Sequence, residues 1–264
     1  MSFELPTTVS KPTITEPRFM LIYSIPKLGK TASLMQLPKS LLIDLESGSG
    51  FYEGTALDIP KMSVELNKHP IVLLKELAIK IEEANKQNGS PIYDFITIDS
   101  ATILEEYANL LATKNYKNST IGKNFTGKSV VSELPQGSGF VWSREAFEEL
   151  YTPFTKLAGK CFILVVHTKD AVINKNGKDI NTADLNLTGK SKIITSSKAD
   201  GIALMYRSKV EGENILSFKG SETDITVGCR LSYLSQKEFV ISKKENDKLT
   251  TNWNLIFPSI TKNN

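Results

Sequence analysis

Residues 19–31 read FMLIYSIPKLGKT and contain the most informative motif of the chain. The apolar run Phe19–Tyr23 has no polar interruption, as in a strand that is covered on both faces. Residues Ser24–Thr31 follow the pattern G-x-x-x-x-G-K-[ST], except that Ser24 replaces the first glycine. A helical pattern over Thr31–Gln36 comes next. The stretch therefore predicts a strand, a phosphate-binding loop and a helix, in that order.

The residue types of this loop explain how it would hold a nucleotide. Successive backbone N–H groups and the helix N-terminus form a cradle for phosphates. Lys30 adds positive charge near the β and γ oxygens, Gly29 lets the backbone approach closely, and Thr31 offers its hydroxyl to Mg²⁺. We therefore expect ATP and Mg²⁺ as ligands, and these nucleotide contacts: Ser24, Ile25, Pro26, Lys27, Leu28, Gly29, Lys30, Thr31 and Ala32.

Two questions about the loop stay open at this point. Ser24 lacks the freedom of glycine at positive φ, so either the loop entrance has an ordinary conformation or phosphate binding is weaker. A G-K-T triplet also arises by chance in a lysine-rich sequence, where it would be a turn without a ligand.

Three further apolar runs, at Leu41–Leu45, Phe95–Ile98 and Phe162–Val166, predict buried parallel strands. Helical patterns alternate with them, at Ile71–Asn85, Ala101–Ala112 and Arg144–Leu157. This alternation predicts a doubly wound α/β fold with a mostly parallel sheet and helices on both faces. Predicted hairpin turns at Asn176-Gly177 and Glu211-Gly212, with strands at Gly201–Tyr206, Asn214–Phe218 and Asp224–Val227, indicate an antiparallel C-terminal extension of the sheet.

Polar side chains stand where the predicted parallel strands end. Asp99 ends the third strand, Asp44 and Glu46 end the second on the same side by the strand period of two, and His167 ends the fourth. The carboxyl ends of parallel strands form the usual ligand site of an open α/β sheet. We predict that Asp99 binds Mg²⁺ together with Thr31.

Composition bounds the other possibilities. The 264 residues carry 32 basic and 29 acidic side chains, so the net charge of +3 permits a nucleic-acid partner without implying one. Two cysteines without metal-ligand spacing, and no run of about 18 apolar residues, favour a cytoplasmic protein that is not in a membrane. We expect a flexible arm at 1–18, one domain at 19–260 and a frayed tail at 261–264.

The order of these motifs resembles the RecA-type P-loop ATPase core, and in particular the phage RecA-like recombination ATPases with single-strand annealing activity. The segments that carry the resemblance span residues 19–230 and are SIPKLGKT, IDLESG, FITIDSAT, ELPQGSGFVWSREAFEEL, VVHTKD and LTGKSKIITSSKADGIALMYR. The resemblance implies that Glu46 is the catalytic base, Asp99 the Mg²⁺-associated aspartate and His167 the sensor of the γ-phosphate, with Lys30 neutralising developing charge. Two residues depart from the family pattern. Ser24 stands in place of the first glycine of the loop, and His167 stands where bacterial RecA has a glutamine sensor.

The resemblance also implies a homo-oligomer, as a ring or a filament, in which a neighbouring subunit supplies a cation to the site. Lys219, in the segment SFKGSE, is our candidate for this trans-acting residue. A single-strand binding protein is a further expected partner, and a phage-encoded chain would work in the host cytoplasm.

Single-stranded DNA is the expected substrate, because RecA-type cores bind it through loops after the third and fourth strands. The corresponding segments here are 113–140 and 169–198, and both are rich in lysine. Lysines would contact phosphates and aromatic side chains would stack on bases. The candidate DNA contacts are Lys123, Lys128, Phe140, Trp142, Lys190 and Lys192.

Two other functions fit the same motifs. A nucleotide-binding assembly or regulatory protein with weak or no turnover is one, which the Ser24 departure makes reasonable. A packaging or helicase motor is the other, although no additional helicase motif is present.

Overall fold

The computed structural model describes residues 7–127, 139–175, 178–221 and 226–260, together with 5, 134 and 137, and at 173–175 and 178–181 it describes the backbone alone. Strands and helices are numbered separately along the chain. The strands are β1 (Phe19–Ser24), β2 (Ser40–Asp44), β3 (Ala56–Asp58), β4 (Phe95–Asp99), β5 (Cys161–Lys175), β6 (Lys178–Leu185), β7 (Gly201–Arg207), β8 (Glu213–Ser217), β9 (Gly228–Cys229), β10 (Glu238–Glu245) and β11 (Lys248–Thr251). The helices are α1 (Lys30–Leu34), α2 (Ile59–Leu66), α3 (Pro70–Asn88), α4 (Ala101–Asn118), α5 (Gly139–Leu157) and α6 (Gly189–Lys198).

All of these strands join one mixed sheet, in the order β11-β10-β8-β7-β1-β5-β4-β2-β3, with β6 beside β5 and β9 beside β7. The pairings from β7 through β1, β5, β4 and β2 to β3 are parallel. Strand β5 lies between β1 and β4, so that Ser24 is level with His167, and Val165 with Asp99. The parallel parts of the four predicted central strands therefore end at the same edge of the sheet, as predicted from the sequence.

Burial on both faces explains the unbroken apolar run of β1, in which every residue is buried. Phe19, Leu21 and Tyr23 face a core that α2, α3, α4 and α5 complete. Met20 and Ile22 face a second core formed with α1 and the C-terminal residues Trp253–Phe257. Each large side chain buried in this way stabilises the fold by roughly 1.5–3 kcal/mol. The prediction of a mostly parallel sheet with helices on both faces is confirmed.

The C-terminal extension is antiparallel, also as predicted: β8 pairs with β7, β10 with β8, and β11 with β10. Glu211 and Gly212 form the turn before β8, and Gly212 has φ 78°. Strands β5 and β6 form the predicted hairpin, with Lys175 opposite Lys178. The turn residues 176–177 lie outside the described residues.

Several elements differ from the sequence-based expectation. Strands β3, β10 and β11 and helix α2 were not predicted, because each is short or partly exposed and gives only a weak apolar pattern. The segment 169–198 is not a loop: it contains the end of β5, all of β6 and α6. Of the strand predicted at 224–227, residues 224–225 lie outside the described part, and the chain enters a strand at Gly228 instead.

The chain ends and the first candidate loop are described in part. Residues 7–18 contain no helix or strand, and Glu16 contacts Ser259 through both carboxylate oxygens. Helix α4 continues to Asn118 and α5 begins at Gly139, which shortens the predicted loop 113–140. Residues 1–4 of the arm, Lys128 and the tail 261–264 lie outside the described residues. None of the described helices combines the length and the apolar composition needed to cross a bilayer.

Candidate nucleotide-binding site

The loop between β1 and α1 has the backbone of a phosphate cradle. Lys27 and Gly29 have positive φ values of 63° and 80°, and Gly29 is the N-cap of α1. Ser24 is the last residue of β1, with ordinary strand geometry, so glycine's conformational freedom is not needed there. This answers the conformational part of the Ser24 question.

Lys30 is held back against the start of the loop. Its Nζ donates to Ser24 Oγ at 2.7 Å and to the Ile25 carbonyl at 3.1 Å. Burial lowers the pKa of Lys30, and the negative charges of Asp99 and Glu46 act in the opposite direction. An anion in the cradle would add to that opposing effect, because it stabilises the charged amine.

Thr31 and Asp99 meet across the sheet edge. Thr31 Oγ1 donates to Asp99 Oδ2 at 2.7 Å, which joins the start of α1 to the end of β4. Asp99 is 5% exposed, and burial raises its pKa, opposed by the Thr31 hydrogen bond and the Lys30 charge. The carboxylate and the hydroxyl are both hard oxygen ligands. The negative charge of the buried carboxylate is poorly solvated, so a cation would stabilise it. The donor set and its electrostatics fit Mg²⁺.

Glu46 and His167 form the third part of the site. His167 Nε2 lies 2.7 Å from Glu46 Oε1, and Ser100 Oγ donates to the same oxygen. A carboxylate only accepts, so Nε2 carries the proton in this bond. The hydrogen bond from His167 lowers the pKa of Glu46; burial opposes this, and Ser100 and Lys30 reinforce it. In the described part of the chain, the buried Nδ1 of His167 has no hydrogen-bond partner.

Asp44 has a different role from the one its spacing suggested. Its carboxylate accepts from the backbone N–H groups of Glu46 and Ser49, at 2.9 and 2.7 Å, and it is 1% exposed. Strand β2 ends at Asp44, so the period of two does not extend to Glu46. Asp44 shapes the turn that carries Glu46 and has both oxygens occupied.

A cavity of 680 Å³ lies beside the loop. Leu28, Gly29 and Ala32 form one side, Phe51 and Tyr52 line it after β2, and the ends of β7 and β8 contribute Arg207 and Asn214. A groove of 1010 Å³ between α3 and α5 includes Pro91 and Leu157, and therefore lies at the opposite edge of the sheet, where β4 and β5 begin. The first cavity adjoins Gly29, the residue before Lys30.

Three residues of the site region were not predicted from the sequence: Ser100, Asn214 and Trp253. Ser100 directly follows Asp99, and two consecutive polar residues at the end of a buried strand could have indicated that Ser100 also belongs to the site. Asn214 donates to the Leu28 carbonyl at 3.0 Å, and Trp253 Nε1 donates to the Ser33 carbonyl at 2.7 Å. These two contacts span 186 and 220 residues, so no local pattern could indicate them.

The remaining predicted residues lie apart from this cluster. Lys219 follows β8, which runs antiparallel to β7, and is therefore directed away from the loop of its own chain. Trp142 packs edge-on against Tyr116 with ring centroids 5.7 Å apart, whereas Phe140 is 62% exposed. Lys192 pairs with Asp184 at 2.7 Å, and Lys123 and Lys190 are exposed.

The strand–loop–helix unit, with Lys30 in the loop and Thr31 against a strand-end aspartate, defines a P-loop nucleotide-binding protein. The chain belongs to the AAA domain family, whose model matches residues 16–245. The predicted P-loop ATPase class is thereby confirmed, and a domain of this kind implies a bound nucleotide.

The chain is also similar to a solved structure described as "Crystal structure of the RadB recombinase". The similarity covers 89% of this chain and 91% of that chain, with 9% sequence identity and a TM-score of 0.40. A likeness at this level carries no functional argument. No curated protein sequence matches the chain significantly.

Proposed function

We propose that the chain binds ATP with Mg²⁺, hydrolyses it, and acts on single-stranded DNA in recombination, annealing or repair. The observation that carries the nucleotide part is the convergence of Lys30, the Thr31–Asp99 pair and the Glu46–His167 pair at one sheet edge. These groups come from four separate stretches of sequence. Their chemistry is the set that phosphoryl transfer requires: a cation, two hard oxygen ligands and a base.

Each residue has a distinct role in the proposal. Mg²⁺, held by Thr31 and Asp99, would supply positive charge to the β and γ phosphates. Lys30 exchanges its bonds to Ser24 and Ile25 for phosphate oxygens and neutralises the charge that develops during transfer. Glu46 orients the attacking water and accepts its proton, and His167 holds Glu46 in place. The backbone N–H groups of residues 25–32 bind the phosphates.

One observation favours a second candidate, a nucleotide-binding assembly or regulatory protein with weak turnover. Glu46 Oε1 accepts from both His167 and Ser100, so one of its two carboxylate oxygens is occupied, and the pKa of Glu46 is lowered. A base with a lowered pKa accepts a proton from water less readily. Turnover would then stay slow until a partner or substrate releases Glu46.

Exposed groups on α5 and α6 support the DNA part of the proposal. Phe140 offers a free aromatic face on α5, and Lys190 is exposed in the first turn of α6. Stacking on aromatic side chains and neutralisation by lysine are the two contributions that single-strand binding combines. Lys123 belongs to the same proposal, and Lys128 remains a prediction from the sequence.

The proposal extends to assembly. A ring or filament of identical chains would let Lys219 reach the site of a neighbour, since Lys219 is exposed and faces away from its own loop. A single-strand binding protein would present the DNA. We also propose action in the cytoplasm, which the cysteine usage favours, and in the host cytoplasm for a phage-encoded chain.

The deciding experiment is a titration of single-stranded DNA in parallel with ATP, with a non-hydrolysable ATP analogue and without nucleotide, together with ATPase rates with and without DNA. Nucleotide-dependent DNA binding and DNA-stimulated hydrolysis are the expected results. ATP binding without turnover and without DNA affinity would replace the proposal with the assembly or regulatory function. Absence of ATP binding by the folded chain would contradict both.

A further inference from the structure

A side chain of the antiparallel extension touches the phosphate loop directly. Asn214, in β8, donates from Nδ2 to the Leu28 carbonyl at 3.0 Å and to Ser242 Oγ in β10 at 3.1 Å. Ser242 is 1% exposed and pairs with Asn214 where the register of β10 shifts after Val240. Asn214 is therefore fixed by the sheet on one side and holds the loop on the other.

The geometry of the peptide unit gives this contact a consequence for the loop. The Leu28 carbonyl and the Gly29 N–H belong to one planar trans peptide, in which C=O and N–H point in opposite directions. Holding the carbonyl oxygen toward Asn214 directs the Gly29 N–H away from β8. Gly29 has φ 80° and precedes Lys30, so this N–H belongs to the row that faces an anion at the start of α1.

Two further contacts join the extension to the same segment. An Arg207 guanidinium nitrogen lies 3.5 Å from the Lys27 carbonyl, and Trp253 Nε1 donates to the Ser33 carbonyl in α1 at 2.7 Å. The donors come from β7, β8 and the C-terminal turn, and each acceptor is a main-chain carbonyl of the loop or its helix. Of these three donors, Asn214 is the one that bonds the peptide unit joining Leu28 to Gly29, directly before Lys30.

We propose that Asn214 is a positioning residue for the phosphate loop: by holding the Leu28 carbonyl, it turns the Gly29 N–H toward the nucleotide phosphates. The inference rests on the proposed function, since it assumes that the cradle receives ATP. It also assigns a role to the C-terminal extension, which orients the loop through its main-chain carbonyls.

The test replaces the donor and keeps the shape. Asn214→Asp puts a carboxylate oxygen against the Leu28 carbonyl, and Asn214→Leu removes the donor without adding charge. Both should weaken ATP binding by about tenfold, the effect of losing one well-placed hydrogen bond in the loop. ATP titration by calorimetry gives the affinity, and hydrogen exchange of residues 25–31 without nucleotide reports whether the loop has loosened. In turnover, KM should rise with kcat nearly unchanged, because Glu46 and Asp99 lie on other strands.

Asn252 provides a matched control in the same extension. Its Nδ2 donates to the Val240 carbonyl at 2.9 Å, away from the loop. Asn252→Asp should lower the melting temperature to a similar extent and leave ATP affinity within about twofold. Asn214→His, which can place a ring N–H near the lost amide, should recover part of the affinity.

The outcomes separate the two claims. Equal ATP affinity and equal loop exchange in Asn214→Asp and the unmodified chain would overturn the role of Asn214 while the proposed function stands. Equal losses in the Asn214 and Asn252 variants would also overturn it, because the effect would then be general destabilisation. A folded, unmodified chain that does not bind ATP would overturn the proposed function and this inference with it.

Discussion

His167 Nε2 lies 2.7 Å from Glu46 Oε1, although 121 residues separate the two along the chain. The bond joins the end of the parallel part of β5 to the turn after β2, across the end of β4. Ser100 adds a second donor from the residue that follows Asp99. Glu46 is thus oriented from two neighbouring strands while its side chain stays 34% exposed on the solvent side.

Glu46→Gln should separate binding from chemistry. The amide keeps a hydrogen-bonding oxygen but cannot accept a proton from water, so ATP should bind nearly normally while turnover falls by about 10²–10⁴-fold. Phosphate release assays and ATP titration measure the two effects. A matched control is Glu53→Gln, a change at an exposed acidic residue outside the cluster. Hydrolysis at the original rate in Glu46→Gln would remove Glu46 from the mechanism.

Acid should reveal the same hydrogen bond in the stability of the fold. His167 lowers the pKa of Glu46 in the folded chain. A carboxyl group whose pKa is lower when folded stabilises the protein above its unfolded pKa, and this stabilisation disappears as pH falls through the folded pKa. Between about pH 5 and about pH 3, urea unfolding should show a steeper loss of stability in the unmodified chain than in Glu46→Gln. His167→Gln should also flatten this dependence, and parallel pH curves for all three would argue against the assignment.

Lys30→Ala should weaken ATP binding strongly without unfolding the domain. The amine is the buried cation of the cradle, and a charge-assisted bond to phosphate contributes about 1.5–3 kcal/mol, so affinity should fall at least about tenfold to 100-fold. Calorimetry and thermal unfolding measure binding and integrity. Lys61→Ala is the control, because Lys61 is an exposed lysine on α2 that is not among the predicted nucleotide contacts. Unchanged affinity in Lys30→Ala would contradict the P-loop assignment of this site.

The salt dependence of DNA binding should identify ionic contacts on α6. Lys190→Gln should reduce the slope of log affinity against log salt by about 0.7, the value for one phosphate contact to a single strand. Lys192→Gln should have a smaller effect, because Lys192 already pairs with Asp184. Lys86→Gln, at a pair with Glu82 on α3, should leave the slope unchanged. Identical slopes in all variants would remove α6 from the DNA surface.

The aromatic candidates should behave differently from each other. Phe140→Ala should weaken DNA binding by about 1–3 kcal/mol if one base stacks on it, with little change in thermal stability. Trp142→Ala should lower the melting temperature, because its ring packs against Tyr116 and the core of α4 and α5. Fluorescence anisotropy with a single-stranded oligonucleotide and thermal unfolding separate the two effects. An unstable Phe140→Ala chain would show that this ring has a structural role instead.

The parts of the fold that the sequence predicted are those in which local pattern and burial agree. Strands β1, β2 and β4 are buried along their whole length, so each appears as a mostly apolar run that ends in a polar residue. The site residues at those strand ends could be anticipated, because parallel strands end at a common edge. The meeting of Thr31 and Asp99 follows from this topology.

The parts that escaped prediction depend on contacts remote in sequence or on half-exposed elements. Strand β10 (EFVISKKE) and helix α6 (GKSKIITSSK) bury few residues each. The alternation of apolar and polar residues that would indicate a strand or a helix is therefore weak in both. Asp44 looked like a strand-end carboxylate equivalent to Glu46, but a turn begins immediately after it and uses both of its oxygens. Asn214 reaches the loop because the sheet brings β8 there, and a single asparagine in a strand gives no warning of it.

Strand β5 runs as one element from Cys161 to Lys175, and its partners change over three residues: pairing with β4 ends at Val165 and pairing with β1 at His167. His167 is level with Ser24 of β1, and the next residue, Thr168, is level with Leu185 of β6. The first half of the strand pairs with β1 and β4 inside the sheet, whereas the second half pairs with β6 in a hairpin. His167 therefore lies where β5 leaves the central sheet and enters the hairpin with β6. Because the strand is continuous here, a displacement of the hairpin would be transmitted directly to the backbone of His167.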